Sequence, residues 1–158
     1  MVASADIYGG TYGLLTEEFP RFGISTTMAD MRDPASYEAA IQDNTKLLYI
    51  ETLTNPVLKV CDIEAMAEVA KRHNLLLLID NTFASPWGCK PLEMGVDLVI
   101  HSTTKYLGGH SDILGGAVVG SKDLIAQIFM RKVHFGAAPD PHSCCLLYTS
   151  DAADDLLC

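Results

Sequence analysis

Asp80 and Lys105 are the residues of this chain best suited to chemistry. Asp80 closes the apolar run Leu75-Leu76-Leu77-Leu78-Ile79. Lys105 closes a second run that starts at Asp97-Leu98-Val99-Ile100. Each run reads as a buried parallel strand with a polar group at its carboxyl end, where open α/β sheets bind their ligands. A carboxylate can hold a protonated pyridine nitrogen, and a lysine can form a Schiff base. Those are the two protein groups that pyridoxal phosphate most needs. An aspartate behind an apolar run is costly to bury unless paired, and a pyridinium N–H is such a partner. The plainer alternative for Asp80 is a strand-end turn.

Other polar residues fall beside this pair. Side chains two apart on a strand share a face, so Ser102 and Thr104 point the same way, as do Asp80 and Thr82. Two hydroxyls at a strand end can donate to a phosphate. On a continuing strand Lys105 would point to the opposite face. The chain must therefore turn after Thr104 for all three to share one ligand, and Gly108-Gly109 makes such a turn feasible. Tyr8, beside Gly9-Gly10, could stack on a flat cofactor ring for about 1 kcal/mol. Asn55 ends Glu51-Thr52-Leu53-Thr54-Asn55, where its amide could meet a phenolic oxygen, although Asn55-Pro56 is also simply a good turn. His101 and His110 read as structural, and Trp87 as packed in a loop.

The elements that must position these groups alternate. Residues 1–7 read as a short strand. Residues 9–19 are helical in character, ended by Pro20 and Gly23. An extended stretch follows over 24–30. Asp33-Pro34 caps and starts a helix that runs to about Ile41. Strand 47–52 follows, then the Asn55-Pro56 turn. Asp62 caps an amphipathic helix with Ile63, Met66, Ala67 and Ala70 at helical spacing, and Lys71, Arg72 and His73 in its last turn. Strands at 75–80, 97–102 and 115–120 come next, with a loop around Pro86, Gly88 and Pro91 after the first. Ser121 caps a last helix with Leu124, Ile125, Ile128 and Phe129 on one face. This alternation predicts an α/β fold, a mainly parallel sheet covered on both sides.

Composition agrees with that class. The 158 residues are 49% hydrophobic and 20% charged, with a formal net charge of −9. That charge argues against a nucleic-acid surface. No run approaches the ~20 apolar residues of a membrane span. No signal-peptide pattern opens the chain, so the expected location is cytoplasmic. The cysteines Cys61, Cys89, Cys144, Cys145 and Cys158 form neither a CxxC pair nor an even framework. Cys61 and Cys89 are expected to be reduced and structural. No His/Cys cluster has zinc spacing, and no metal is expected.

Taken in order, the segments Tyr8-Gly9-Gly10-Thr11-Tyr12, Glu51-Thr52-Leu53-Thr54-Asn55-Pro56, Ile79-Asp80-Asn81-Thr82-Phe83 and His101-Ser102-Thr103-Thr104-Lys105-Tyr106-Leu107-Gly108-Gly109-His110-Ser111-Asp112 are specific. Together they closely resemble the Cys/Met-metabolism (transsulfuration) family of pyridoxal-phosphate enzymes. Its members include cystathionine γ-synthase, cystathionine lyases, methionine γ-lyase and O-acylhomoserine sulfhydrylases. The resemblance implies the large domain of a fold-type I transferase and γ-elimination or γ-replacement on an amino-acid substrate. It implies Lys105 as the Schiff-base lysine and the base at Cα. Asp80 would partner the pyridine nitrogen, and Tyr8 would stack on the ring and serve as an acid. Ser102 and Thr104 would bind phosphate, and Asn55 would sit near the phenolic oxygen, with Thr82 beside Asp80. Glu51 lies in the same motif with no defined role. A lysine base needs a lowered pKa, which burial and a cationic neighbourhood would supply. A tetramer of paired dimers is the implied assembly.

Family members are far longer, so residues 1–143 are expected to be a partial cofactor domain, truncated at both ends. Gly10 stands where some methionine lyases carry cysteine, mildly against that subtype. Residues 144–158 carry adjacent cysteines, late aspartates and no completed element. They read as a tail foreign to the gene, with a short natural tail as the alternative. The isolated chain is expected to bind cofactor poorly and turn over little. A non-catalytic fragment or assembly partner, and an aminotransferase of the same fold type, stay open as other readings.

Overall fold

The computed structural model describes residues 1–149. In chain order its elements are β1 (Val2–Ser4), α1 (Gly9–Gly13), β2 (Thr27–Ala29), α2 (Pro34–Ala40), β3 (Leu47–Glu51), α3 (Ile63–Arg72), β4 (Leu76–Asp80), α4 (Ser85–Gly88), β5 (Leu98–Ser102), β6 (Gly116–Gly120), α5 (Lys122–Phe135) and α6 (Pro141–Thr149). The strands form one sheet in the order β2-β1-β3-β4-β5-β6. Every pairing is parallel except β5 with β6, which is antiparallel. The mainly parallel α/β sheet is the predicted one.

Capping sets the helix starts. Asp33 Oδ1 accepts the Ala35 N–H at 3.1 Å and Pro34 opens α2. Asp62 Oδ1 accepts the Ala65 N–H at 3.0 Å ahead of α3. Both satisfy amides that a helix start leaves without partners. The buried residues of α3 are Ile63, Met66, Val69 and Ala70, and Ala67, partly buried, packs against the same core.

Strand alternation divides the sheet into two faces. Leu48, Ile50, Leu77, Ile79 and Val99 lie on the face under α2 and α3 and form the main core with Met66, Val69 and Tyr37. Tyr37 is fully buried, and its hydroxyl donates to the Tyr49 carbonyl at 2.9 Å, which meets the cost of burying it. The other face carries a smaller cluster of Ala3, Ile7, Leu15 and Tyr49. Leu76 and Val118 stay exposed, so the expected cover on both sides is only partial. The antiparallel β5–β6 pairing is one reason, because it needs no crossover helix to lie across the sheet.

Local differences have physical causes. Pro20 does not end the first helical stretch. It occupies an early position of a 3-10 turn, Phe19–Phe22, which tolerates its missing N–H, and Gly23 stops the chain at φ 74°. The loop after β4 holds α4 and a 3-10 turn, Pro91–Met94. Trp87 on α4 is 97% exposed and does not pack. Helix α5 forms behind its Ser121 cap, yet it buries none of its residues, and α6 follows it. The boundary expected at 143/144 falls inside α6, so residues 144–149 belong to an element. The rest of the expected tail, 150–158, lies outside the described residues.

Candidate active site

The carboxyl ends of β1, β3, β4 and β5 open into a cleft of about 1040 Å³. Tyr8, Asn55, Asp80, Thr82, Ser102, Thr104 and Lys105 all line it. Thus every candidate residue named from sequence reaches one cavity. Glu51, Phe83, Tyr106 and Asp112 join them.

Backbone turns place the side chains. β4 ends at Asp80, and the next residue, Asn81, is fully buried. Its carboxamide donates to the Ser85 and Cys89 carbonyls at 3.1 and 2.9 Å and accepts the Thr52 hydroxyl at 2.7 Å. These bonds lock the turn that holds Asp80 at the cleft. Sequence reasoning missed Asn81, whose partners are two backbone carbonyls of the following loop and the Thr52 hydroxyl on another segment. Thr82 then bridges two strand ends: its N–H donates to Asp80 Oδ1 at 2.9 Å, and its Oγ1 accepts the Ser102 N–H at 2.9 Å. The expected proximity of Thr82 to Asp80 arises through this turn, since the strand has already ended.

β5 ends at Ser102, two residues earlier than a strand running to Thr104 would. The chain enters a helical turn, Thr103–Leu107, broken at Lys105 by φ −97° and ψ −124°. The turn required for Lys105 to join the hydroxyls is therefore present. Ser102 and Thr104, however, do not act as an alternating pair. Thr104 Oγ1 accepts the Gly115 N–H at 3.0 Å and donates to the Gly115 carbonyl at 3.3 Å. The Ser102 hydroxyl carries no hydrogen bond among the described residues. Gly108 closes the turn; a Cβ there would lie 2.6 Å from the Thr103 carbonyl oxygen, so only glycine fits.

The surroundings of Lys105 differ from expectation. The side chain is exposed, and it is the sole cation among the cleft residues, facing Glu51, Asp80 and Asp112. The burial and cationic neighbourhood expected from sequence are not supplied by these elements. Lys105 sits at the break in the turn, and its side chain is exposed there.

Tyr8 stands at the start of α1, half exposed, over Gly10. Phe83 and Tyr106, on the turns after β4 and β5, meet at 6.4 Å between ring centres with a 56° tilt. His101 is buried, its Nδ1 lacks a hydrogen bond among the described residues, and burial pushes its pKa down. Cys61 is free and buried, and burial pushes its thiol up to about 12. Among the described residues no group of three or more His, Cys, Asp or Glu could hold a metal ion, and no helix is long and apolar enough to cross a membrane.

The donor set suits pyridoxal phosphate in three respects. Asp80 offers a carboxylate at a strand end, Lys105 a primary amine on the same cavity, and Ser102 a hydroxyl without a partner. It suits the phosphate dianion less well, because among the described residues no second cation lines the cleft.

Known proteins carry the same pattern. The family described as Cys/Met metabolism PLP-dependent enzyme matches residues 1–149. A Herpetosiphon aurantiacus protein named "Probable cystathionine gamma-synthase" is 44% identical over 148 residues, 93% of this chain and 46% of its own length. The cystathionine gamma-lyase of Bacillus subtilis is 45% identical over 148 residues, 93% of this chain and 39% of its own. The crystal structure of cystathionine gamma-lyase from Lactobacillus plantarum, complexed with L-serine, superposes with a TM-score of 0.90 at 46% identity. That match covers 92% of this chain and 39% of the other. The chain thus spans less than half the length of these relatives. With its sheet, its strand-end cleft and its motifs in register, the chain belongs to the Cys/Met-metabolism family of pyridoxal-phosphate-dependent enzymes.

Proposed function

We propose that this chain is the cofactor-holding part of a sulfur amino-acid enzyme that performs γ-elimination or γ-replacement on methionine, cystathionine or an O-acylhomoserine. The observation that carries the reading is the meeting of all seven candidate residues in one cleft at the sheet's carboxyl edge. When bound, pyridoxal phosphate supplies an electron sink for negative charge at the substrate Cα.

The chain's own residues do the rest. Lys105 would hold the cofactor covalently through Nζ, and once the substrate amine takes its place that Nζ would remove the Cα proton as general base. Asp80 would keep the ring nitrogen protonated: Oδ1 accepts the Thr82 N–H, which leaves Oδ2 for the ring. Tyr8 would pack its ring against the cofactor, and its hydroxyl would supply a proton to the departing γ-substituent. Ser102 donates to the phosphate, and Thr104 contributes only after exchanging its bonds to Gly115. Asn55 presents its amide to the phenolic oxygen. Substrate is thus oriented between the Tyr8 and Lys105 sides of the cleft.

The exposed Lys105 and the lack of a second cation among the described residues of the cleft support weak cofactor binding and little turnover by the isolated chain. Assembly into a tetramer of paired dimers in the cytoplasm belongs to the same reading. Product analysis tests it. A longer protein carrying this cleft, given pyridoxal phosphate and either cystathionine or an acylated homoserine with a thiol, should yield a 2-oxo acid and ammonia or a new thioether. Amino transfer to a 2-oxo acid with no sulfur product would replace the reading with an aminotransferase.

A further inference from the structure

Glu51 ends β3 beside Asp80, its register partner across the β3–β4 pairing. It is 3% exposed and has no cationic partner among the described residues. An isolated buried carboxylate is expensive unless hydrogen bonds replace its water. Here two backbone amides do so. Oε1 accepts the Tyr8 N–H at 2.9 Å, and Oε2 accepts the Asn55 N–H at 3.1 Å. These donors lie on separate segments, one after β1 and one after β3. Burial pushes the Glu51 carboxyl above its ordinary range, against the pull of those same amides.

We propose that Glu51 is a positioning residue whose two oxygens tie the Tyr8 turn to the Asn55 turn and so fix the span between Tyr8 and Asn55 across the cleft. A second tie joins the same segments nearer the surface, where Lys59 pairs with Asp6. That pair is partly exposed, and such pairs contribute little. The carboxylate is the tie that geometry favours, because it serves both turns at once. No shorter side chain spans both amides, and a carboxamide cannot accept from both with its two heavy atoms. The consequence for cofactor binding rests on the function proposed above; the tie itself does not.

The test uses the 158-residue chain. In the unmutated protein, NMR couplings through the hydrogen bonds should link the Tyr8 and Asn55 amides to the Glu51 carboxyl carbon. Their absence at both amides overturns the tie without any mutation. In Glu51→Gln, one amide must face an NH₂ group, so hydrogen exchange at Tyr8 or Asn55 should quicken at least tenfold. The Thr82 amide, bonded to Asp80, should change less than twofold. Pyridoxal phosphate affinity should fall about tenfold in Glu51→Gln and less than threefold in Lys59→Met. Faster exchange with unchanged cofactor affinity would overturn the positioning role. Where the 158-residue chain binds too little cofactor to titrate, both affinities are read in a longer protein carrying this cleft. No binding there would defeat the proposed function and leave the couplings to decide the tie.

Discussion

Lys105→Ala is expected to abolish borohydride-stable retention of pyridoxal phosphate and to cut turnover by about 10³-fold in a longer protein carrying this cleft, the scale of a lost general base. The lysine has two tasks. It anchors the cofactor, and its amine is the only cation lining the cleft, so no neighbour among the described residues can substitute. Lys105→Arg should lose as much, since guanidinium keeps the charge but is not a nucleophile. Small primary amines added to Lys105→Ala should restore part of the turnover. More than a tenth of the unmutated turnover in Lys105→Ala, without added amine, would contradict this account.

Asp80→Asn is expected to weaken cofactor affinity and turnover by about 10- to 100-fold. The figure follows from the loss of one charge-assisted hydrogen bond, worth about 1.5–3 kcal/mol, at 1.36 kcal/mol per tenfold. Asparagine is the informative substitution because its carbonyl oxygen can still accept the Thr82 N–H. The turn that bridges to Ser102 then survives, and only the charge facing the ring nitrogen is lost. Fluorescence titration with pyridoxal phosphate and steady-state kinetics read both effects. A change below threefold would remove Asp80 from its assigned role.

Much of this site was legible in the residues because strand ends and caps are local features. An apolar run ending in Asp80 marks both a strand and its carboxyl edge. Asp62 and the spacing of Ile63, Met66 and Ala70 mark α3 with no tertiary information. Tyr8, Asn55 and Lys105 converge because parallel strands bring all their carboxyl ends to one edge.

What was not legible depends on distant partners. The alternation rule for Ser102 and Thr104 failed because β5 stops at Ser102 and the backbone turns. Gly115, eleven residues on, then claims the Thr104 hydroxyl. Asn81 and Glu51 each pair a local backbone partner with a distant one, Thr52 and the Tyr8 amide, and no spacing announces the distant half. Lys105 is exposed, and the break in the turn falls at that very residue. The α5 pattern of Leu124, Ile125, Ile128 and Phe129 predicted a helix correctly, but an apolar face does not say what it packs against.

The central claim is that Lys105 is the cofactor's covalent anchor. Loading the chain with pyridoxal phosphate, reducing with borohydride and mapping the modified peptide by mass spectrometry tests it most directly. The predicted result is a single pyridoxyl group on Lys105, absent from Lys105→Ala. A label concentrated on Lys59, Lys90 or any other lysine, with Lys105 unmodified, would contradict it.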